Sequence, residues 1–157
     1  MHHDPYKKGE NFNEWLKFYA HEFIIINIKE EGLEEKAFAL LKKYNIKNFF
    51  FLDQSFPFLI KYSRYLSKKT AVRYSEYESF ETVRKLKKKV IWVWVDCFKR
   101  KPLKIKKIKK IKLKICLVSP ELQGEKDLKK IKAFISQIKL KELCPDAVCT
   151  KLPNLWI

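Results

Sequence analysis

Residues 90–97 read Val90-Ile91-Trp92-Val93-Trp94-Val95-Asp96-Cys97, and this stretch decides the fold class. It is short, apolar and rich in β-formers, and it ends in a carboxylate. A strand alternates its side chains between two faces. Val90, Trp92, Trp94 and Asp96 therefore share one face, and Ile91, Val93 and Val95 share the other. Both faces are apolar, so both need cover, which is the environment of a buried parallel strand rather than a surface hairpin. Asp96 falls at the C-terminal end, on the tryptophan face.

The same plan recurs on either side: an apolar strand, a polar residue at its C-terminal end, a loop, an amphipathic helix. Upstream, Ser79–Lys89 carries Phe80, Val83 and Leu86 at three-residue spacing, a helical period. Before it, Thr70–Ser75 is a weaker strand. Pro57 suits the first turn of a helix bearing Phe58, Leu59, Tyr62 and Leu66. Asn48–Asp53 is a strand with Phe49, Phe51 and Asp53 in phase. Leu33–Tyr44 is a helix with Leu33, Ala37, Leu40, Leu41 and Tyr44 inward and Asn45 as its C-terminal cap. Phe23–Ile28 is the first full strand, with Phe23, Ile25, Asn27 and Lys29 on one face. Asn11–Ala20 places Phe12, Trp15, Leu16 and Tyr19 at helical spacing, and His21, at its end, reads as structural.

Downstream, the lysine-rich stretch 98–114 changes period. Ile105, Ile108 and Ile111 are three apart; Leu113, Ile115 and Leu117 are two apart. We read a short basic helix running into a strand, Lys112–Ser119, with a polybasic phosphate- or lipid-binding loop as the alternative. Lys126–Leu140 is amphipathic, with Leu128, Ile131, Phe134, Ile135 and Ile138 inward. Asp146–Thr150 is a last short strand. Six strands alternate with helices, and His3 marks a strand remnant ahead of them. Such alternation argues for a parallel sheet, doubly wound or closed as a barrel. The three glycines, Gly9, Gly32 and Gly124, form no phosphate-binding loop, which removes the dinucleotide fingerprint and the Walker loop.

A chain of 157 residues, 46% hydrophobic, has room for one domain, 1–157, with a real core. Its formal charge of +17 favours an anionic partner: a phosphate ester, a membrane surface or nucleic acid. Much of the excess is lysine on helix faces, which reads as solvated surface. The aromatics lie in core phases rather than on an exposed platform, which argues against nucleic acid. No apolar run reaches the ~20 residues of a membrane span. The opening MHHDPYKKGE has no signal-peptide core, so we expect no transmembrane segment and a cytoplasmic location. Cys144 and Cys149 are close, but with no second pair and no nearby histidine they make poor zinc spacing. Cys116 reads as core, and the thiols as reduced.

In parallel α/β folds the active site lies at the C-terminal ends of the strands. Those ends carry His3 and Asp4, Asn27 and Lys29, Asp53, Arg73, Asp96, then Ser119, Glu121 and Thr150. A polar residue at every strand end suggests a polar-lined mouth. Lys29, Arg73 and His3 together suit a phosphate, and His3 can move a proton near neutral pH. Ser119, Glu121 and Thr150 read as loop solvation or helix caps.

His3-Asp4-Pro5, Asn27-Ile28-Lys29, the strand end Asp53–Ser55 and the closing Asp146-Ala147-Val148-Cys149-Thr150-Lys151-Leu152-Pro153 come in an order that resembles the glycerophosphodiester phosphodiesterase family, within the phosphatidylinositol-phospholipase-C-like TIM barrels. The resemblance implies His3 as a catalytic general acid and Lys29 as the phosphate-contacting catalytic lysine. Asp53, Arg73 and Asp96 join them as substrate-binding candidates at the neighbouring strand ends. Asn27 falls where the family has a metal-binding glutamate, and a neutral amide is a poorer ligand for Ca²⁺ or Mg²⁺. The family's His-Arg-Gly, Glu-Asn and Glu-x-Asp elements do not precede His3.

A TIM barrel also needs about 250 residues, ~200 at the low end. The expected fold is therefore an incomplete (β/α)8 TIM barrel lacking the first βα unit and most of the second strand. Its open edges invite an N-terminal complementing segment or self-association. The expected function is hydrolysis of a phosphodiester small molecule, impaired in this chain alone. The alternative is a non-catalytic binder of anionic ligands.

Overall fold

The computed structural model describes residues 7–66, 69–140 and 144–157. His3, Asp4 and the strand expected beside them lie outside these. The fold is α/β with parallel sheets, and the chain divides into two compact units, Met1–Ala71 and Val72–Ile157.

The first unit contains α1 (Phe12–Leu16), β1 (Ile24–Asn27), α2 (Glu34–Lys43), β2 (Phe49–Leu52) and α3 (Phe56–Tyr65). β1 and β2 pair in parallel, Ile24 opposite Phe49 through Asn27 opposite Leu52. Asn11 caps α1 by accepting the Asn13 N–H at 2.9 Å. This helix is shorter than its apolar spacing predicts. Beyond Leu16 the N–H groups of Lys17, Phe18 and Tyr19 reach back three residues instead of four, a tightening that ends an α-helix. Leu16, Ile28, Ala37, Leu41, Phe49, Phe51, Tyr62 and Leu66 pack into one core.

α2 departs from expectation at its start. Leu33 is 38% exposed, and Glu34 is buried in its place. The Glu34 carboxylate accepts the Gly32 N–H at 3.1 Å and the Gln54 amide at 2.9 Å, and a carboxylate suits a helix N-terminus. At the other end Asn45 takes φ +55°. Ile46 N–H donates to Leu41 and Asn45 N–H to Lys42. This is the Schellman closure, in which asparagine tolerates the left-handed conformation.

In the second unit β3 (Ala71–Tyr74, whose first residue ends the first unit), α4 (Phe80–Leu86), β4 (Trp92–Val95), α5 (Lys106–Lys110), β5 (Lys114–Val118), α6 (Leu128–Leu140) and β6 (Ala147–Cys149) follow. The sheet runs β3-β4-β5-β6. β4 and β5 are parallel with Trp92 opposite Lys114, and β5 and β6 are parallel with Cys116 opposite Ala147. All of β4 is buried, as apolar character on both faces requires.

The lysine-rich stretch folds as its change of period predicts. Ile105, Ile108, Ile115 and Leu117 are fully buried, while Lys106, Lys107, Lys109 and Lys110 stay in solvent. In α6 the inward stripe begins one turn later than expected: Ile131, Phe134, Ile135 and Ile138 are buried, but Leu128, the first helical residue, is 53% exposed.

Candidate functional site

Polar side chains gather at the C-terminal strand ends of each unit. In the first, Lys29 follows β1 and Asp53 follows β2, and Lys29 Nζ lies 3.3 Å from Asp53 Oδ2. Strand phase alone would set Asp53 beside Phe49 and Phe51. Its φ of +58° breaks that alternation and turns the chain, as a short polar residue can. Asn27, the last residue of β1, is exposed.

In the second unit Asp96 follows β4, and its carboxylate joins three segments of chain. Arg73 Nη1 on β3 lies 3.1 Å from Oδ2. The Trp94 indole N–H donates to Oδ2 at 2.9 Å, and the Gln123 amide donates to Oδ1 at 2.6 Å. Trp94 and Asp96 thus share a face, as alternation along the strand predicts. The Asp96 N–H donates to the Tyr74 carbonyl at 3.0 Å, which holds the ends of β3 and β4 together. Arg73 also lies 3.7 Å from Glu78, and Glu78 accepts the Ser75 hydroxyl. Glu76 accepts the N–H groups of Phe98 and Lys99, both at 3.0 Å, and so pins the loop after β4.

A third cluster joins the ends of β5 and β6. Glu121 accepts the hydroxyls of Ser119 and Thr150, both at 2.5 Å, and the Lys151 N–H at 2.9 Å. Trp156 donates its indole N–H to Ser119 at 3.2 Å. Burial pushes the Glu121 carboxyl upward, but the Ser119 and Thr150 hydroxyls and backbone N–H groups outweigh it. The net result lies below the usual carboxylate range. These residues are a single network rather than separate caps. Nothing local signals it, because Glu121 and Thr150 meet only once β5 and β6 are known to be neighbours. Asp146 has a different place from Thr150: it stands before β6 and accepts the Ile115 N–H at 2.8 Å, at the opposite end of the strand.

Of Lys29, Arg73 and His3, grouped in the sequence for a phosphate, Lys29 meets Asp53 within the first unit, Arg73 meets Asp96 within the second, and His3 lies outside the described residues. Glu34, Glu78, Gln123 and Trp156 were not singled out, and each makes a contact visible only in three dimensions. Cys97 and Cys116 are buried, and burial pushes both thiols up to about 12.

Asn27 brings one neutral amide oxygen to the position implied for Ca²⁺ or Mg²⁺, and Asp53, after the paired strand, is engaged by Lys29. Among the described residues no three His, Cys, Asp or Glu side chains are grouped to hold a metal ion. A hard divalent cation takes several oxygen ligands, of which Asn27 would supply one. No helix of the described residues is long and apolar enough to cross a membrane. No protein-family model, curated protein or solved structure matches this chain.

Proposed function

We propose that the chain is a phosphodiesterase-type protein of the TIM-barrel kind that recognises glycerophosphodiesters at the C-terminal ends of its strands. The observation that carries this reading is a cation at a strand end in each unit. Lys29 and Arg73 each stand at a strand end, held by a carboxylate from the neighbouring strand end. A guanidinium presents a planar fork that matches phosphate oxygens, and a lysine supplies a compact charge. Within the first unit an incoming phosphate would compete with Asp53 for Lys29, and within the second it would compete with Asp96 for Arg73. His3 is the general acid of this reading, delivering a proton to the leaving oxygen. The four free cysteines accord with the reducing cytoplasm in which we place it.

A second reading, binding without turnover, is favoured by the engagement of Asp96. Its carboxylate takes donors from Arg73, Trp94 and Gln123, which suits a structural acid better than a catalytic base. Titration of the chain with glycerophosphocholine, with and without Ca²⁺ or Mg²⁺, separates the two. Saturable binding lost in Lys29→Ala supports phosphodiester recognition, and release of choline that also needs His3 supports hydrolysis. Absence of both binding and release overturns the proposal.

A further inference from the structure

The first unit carries a groove along the outer edge of β1. It has a volume of about 630 Å³ and takes in every residue from Ile24 to Glu30, with Phe12, Leu33, Ala37 and Leu40 opposite. Successive residues of a strand point to opposite faces. A cavity under one face would touch only alternate residues. This one touches Ile24, Ile26 and Ile28 and also Ile25 and Asn27, so it lies beside the strand and follows its backbone edge.

The backbone has the same polarity. The N–H groups of Ile24 and Ile28 donate toward β2, to Asn48 and Leu52. In a parallel ladder the residues between them, Ile25 and Asn27, direct their N–H and C=O groups the other way. Among the described residues β1 has β2 as its sole strand neighbour. Ile24, Ile25 and Ile26 are only half-buried, whereas every residue of β2 is buried. A strand edge flanked by apolar side chains is the feature that accepts an added strand.

The charge around the groove selects the occupant. Lys7, Lys29, Lys36 and Glu30 line it; Lys29 is engaged by Asp53, while Lys36 is exposed at the rim, and the chain as a whole carries +17. A second copy would bring like charge to a lysine-lined rim, which is destabilising. We propose that the β1 edge binds an extended segment of another polypeptide in which apolar residues alternate with Asp or Glu. The apolar side chains enter the groove, the backbone pairs with Ile25 and Asn27, and a carboxylate meets Lys36. The inference does not rest on the phosphodiester reading.

The test uses the full chain, ¹⁵N-labelled, and an acetylated, amidated peptide alternating valine with glutamate, beside the same peptide with lysine for glutamate. The acidic peptide is expected to bind, to shift the Ile25 and Asn27 amides and to protect them from exchange, while the lysine peptide does not bind. Ile25→Pro removes an N–H from the open edge without touching the β1–β2 ladder, where proline is tolerated. It should weaken binding about tenfold with little change in thermal midpoint. Should that variant fail to fold, exposed Lys36→Glu decides instead, by weakening the acidic peptide alone. Equal binding of both peptides, shifts confined to other residues, or a concentration-dependent dimer that protects Ile25 without peptide would each overturn the proposal.

Discussion

Arg73 and Asp96 meet at 3.1 Å, with the carboxylate only 3% exposed and the guanidinium reaching it from the neighbouring strand. The pair is asymmetric. Asp96 also satisfies Trp94 and Gln123, while Arg73 also approaches Glu78.

Removing the buried member should therefore cost more than removing the outer one. Asp96→Ala takes the acceptor from the Trp94 indole and the Gln123 amide and one partner from Arg73, which keeps Glu78, and should lower unfolding free energy by about 1–3 kcal/mol for each donor left unsatisfied. Trp94→Phe, which deletes one donor to a charged acceptor, should cost roughly 1.5–3 kcal/mol. Urea unfolding measures both. Equal stability of Asp96→Ala and the parent would remove Asp96 as the organiser of these strand ends.

The cysteines should divide by burial. Cys144 is exposed, whereas Cys97 and Cys116 are buried. With a chromogenic disulfide at pH 8, Cys144 should react at once and Cys97 and Cys116 only on unfolding. The buried thiols also set an alkaline limit. Their folded pKa of about 12 lies above the ordinary value of 9.0, so above pH 9 the unfolded chain releases protons that the folded chain retains. Their contribution is complete below pH 9 and is lost as pH rises toward 12. A denaturation series from pH 8 to 11 should show this fall, lessened in Cys97→Ala after allowing for the lost packing.

Glu121 gives the opposite dependence. Its folded carboxyl is held low, so its contribution is present above the unfolded value and is lost as pH falls through the folded one. Acid should release Ser119, Thr150 and, through Ser119, the Trp156 indole. Glu121→Gln should blunt the acid loss of stability. Trp156→Phe should remove whatever fluorescence change accompanies that step.

Asn45 tests the closure of α2. Because its φ is +55°, Asn45→Gly should hold or raise the thermal midpoint. Asn45→Val, forcing a β-branched residue into left-handed space, should cost about 1–2 kcal/mol. If the valine variant is as stable as the glycine one, the left-handed closure is wrong.

Much of the fold is legible in the amino-acid order. The two-residue period of Trp92–Val95, the three-residue spacing of Ile105 and Ile108, and the asparagine after α2 each act within a few residues. The covalent geometry of strands and helices imposes those periods whatever the rest of the chain does. Even there, burial overrode pattern at Leu33 and Leu128, because an element's first turn answers to its neighbours as well as to its own period. The pairing of Lys29 with Asp53 was half legible: both stood at strand ends, but the left-handed turn that aims Asp53 was not. What only tertiary structure decided are the long-range contacts. Gln123 reaches Asp96 across 27 residues, and Thr150 reaches Glu121 across 29. Nothing in local periodicity encodes such partners. Strand order brings those ends side by side, and burial then requires each carboxylate to find its donors.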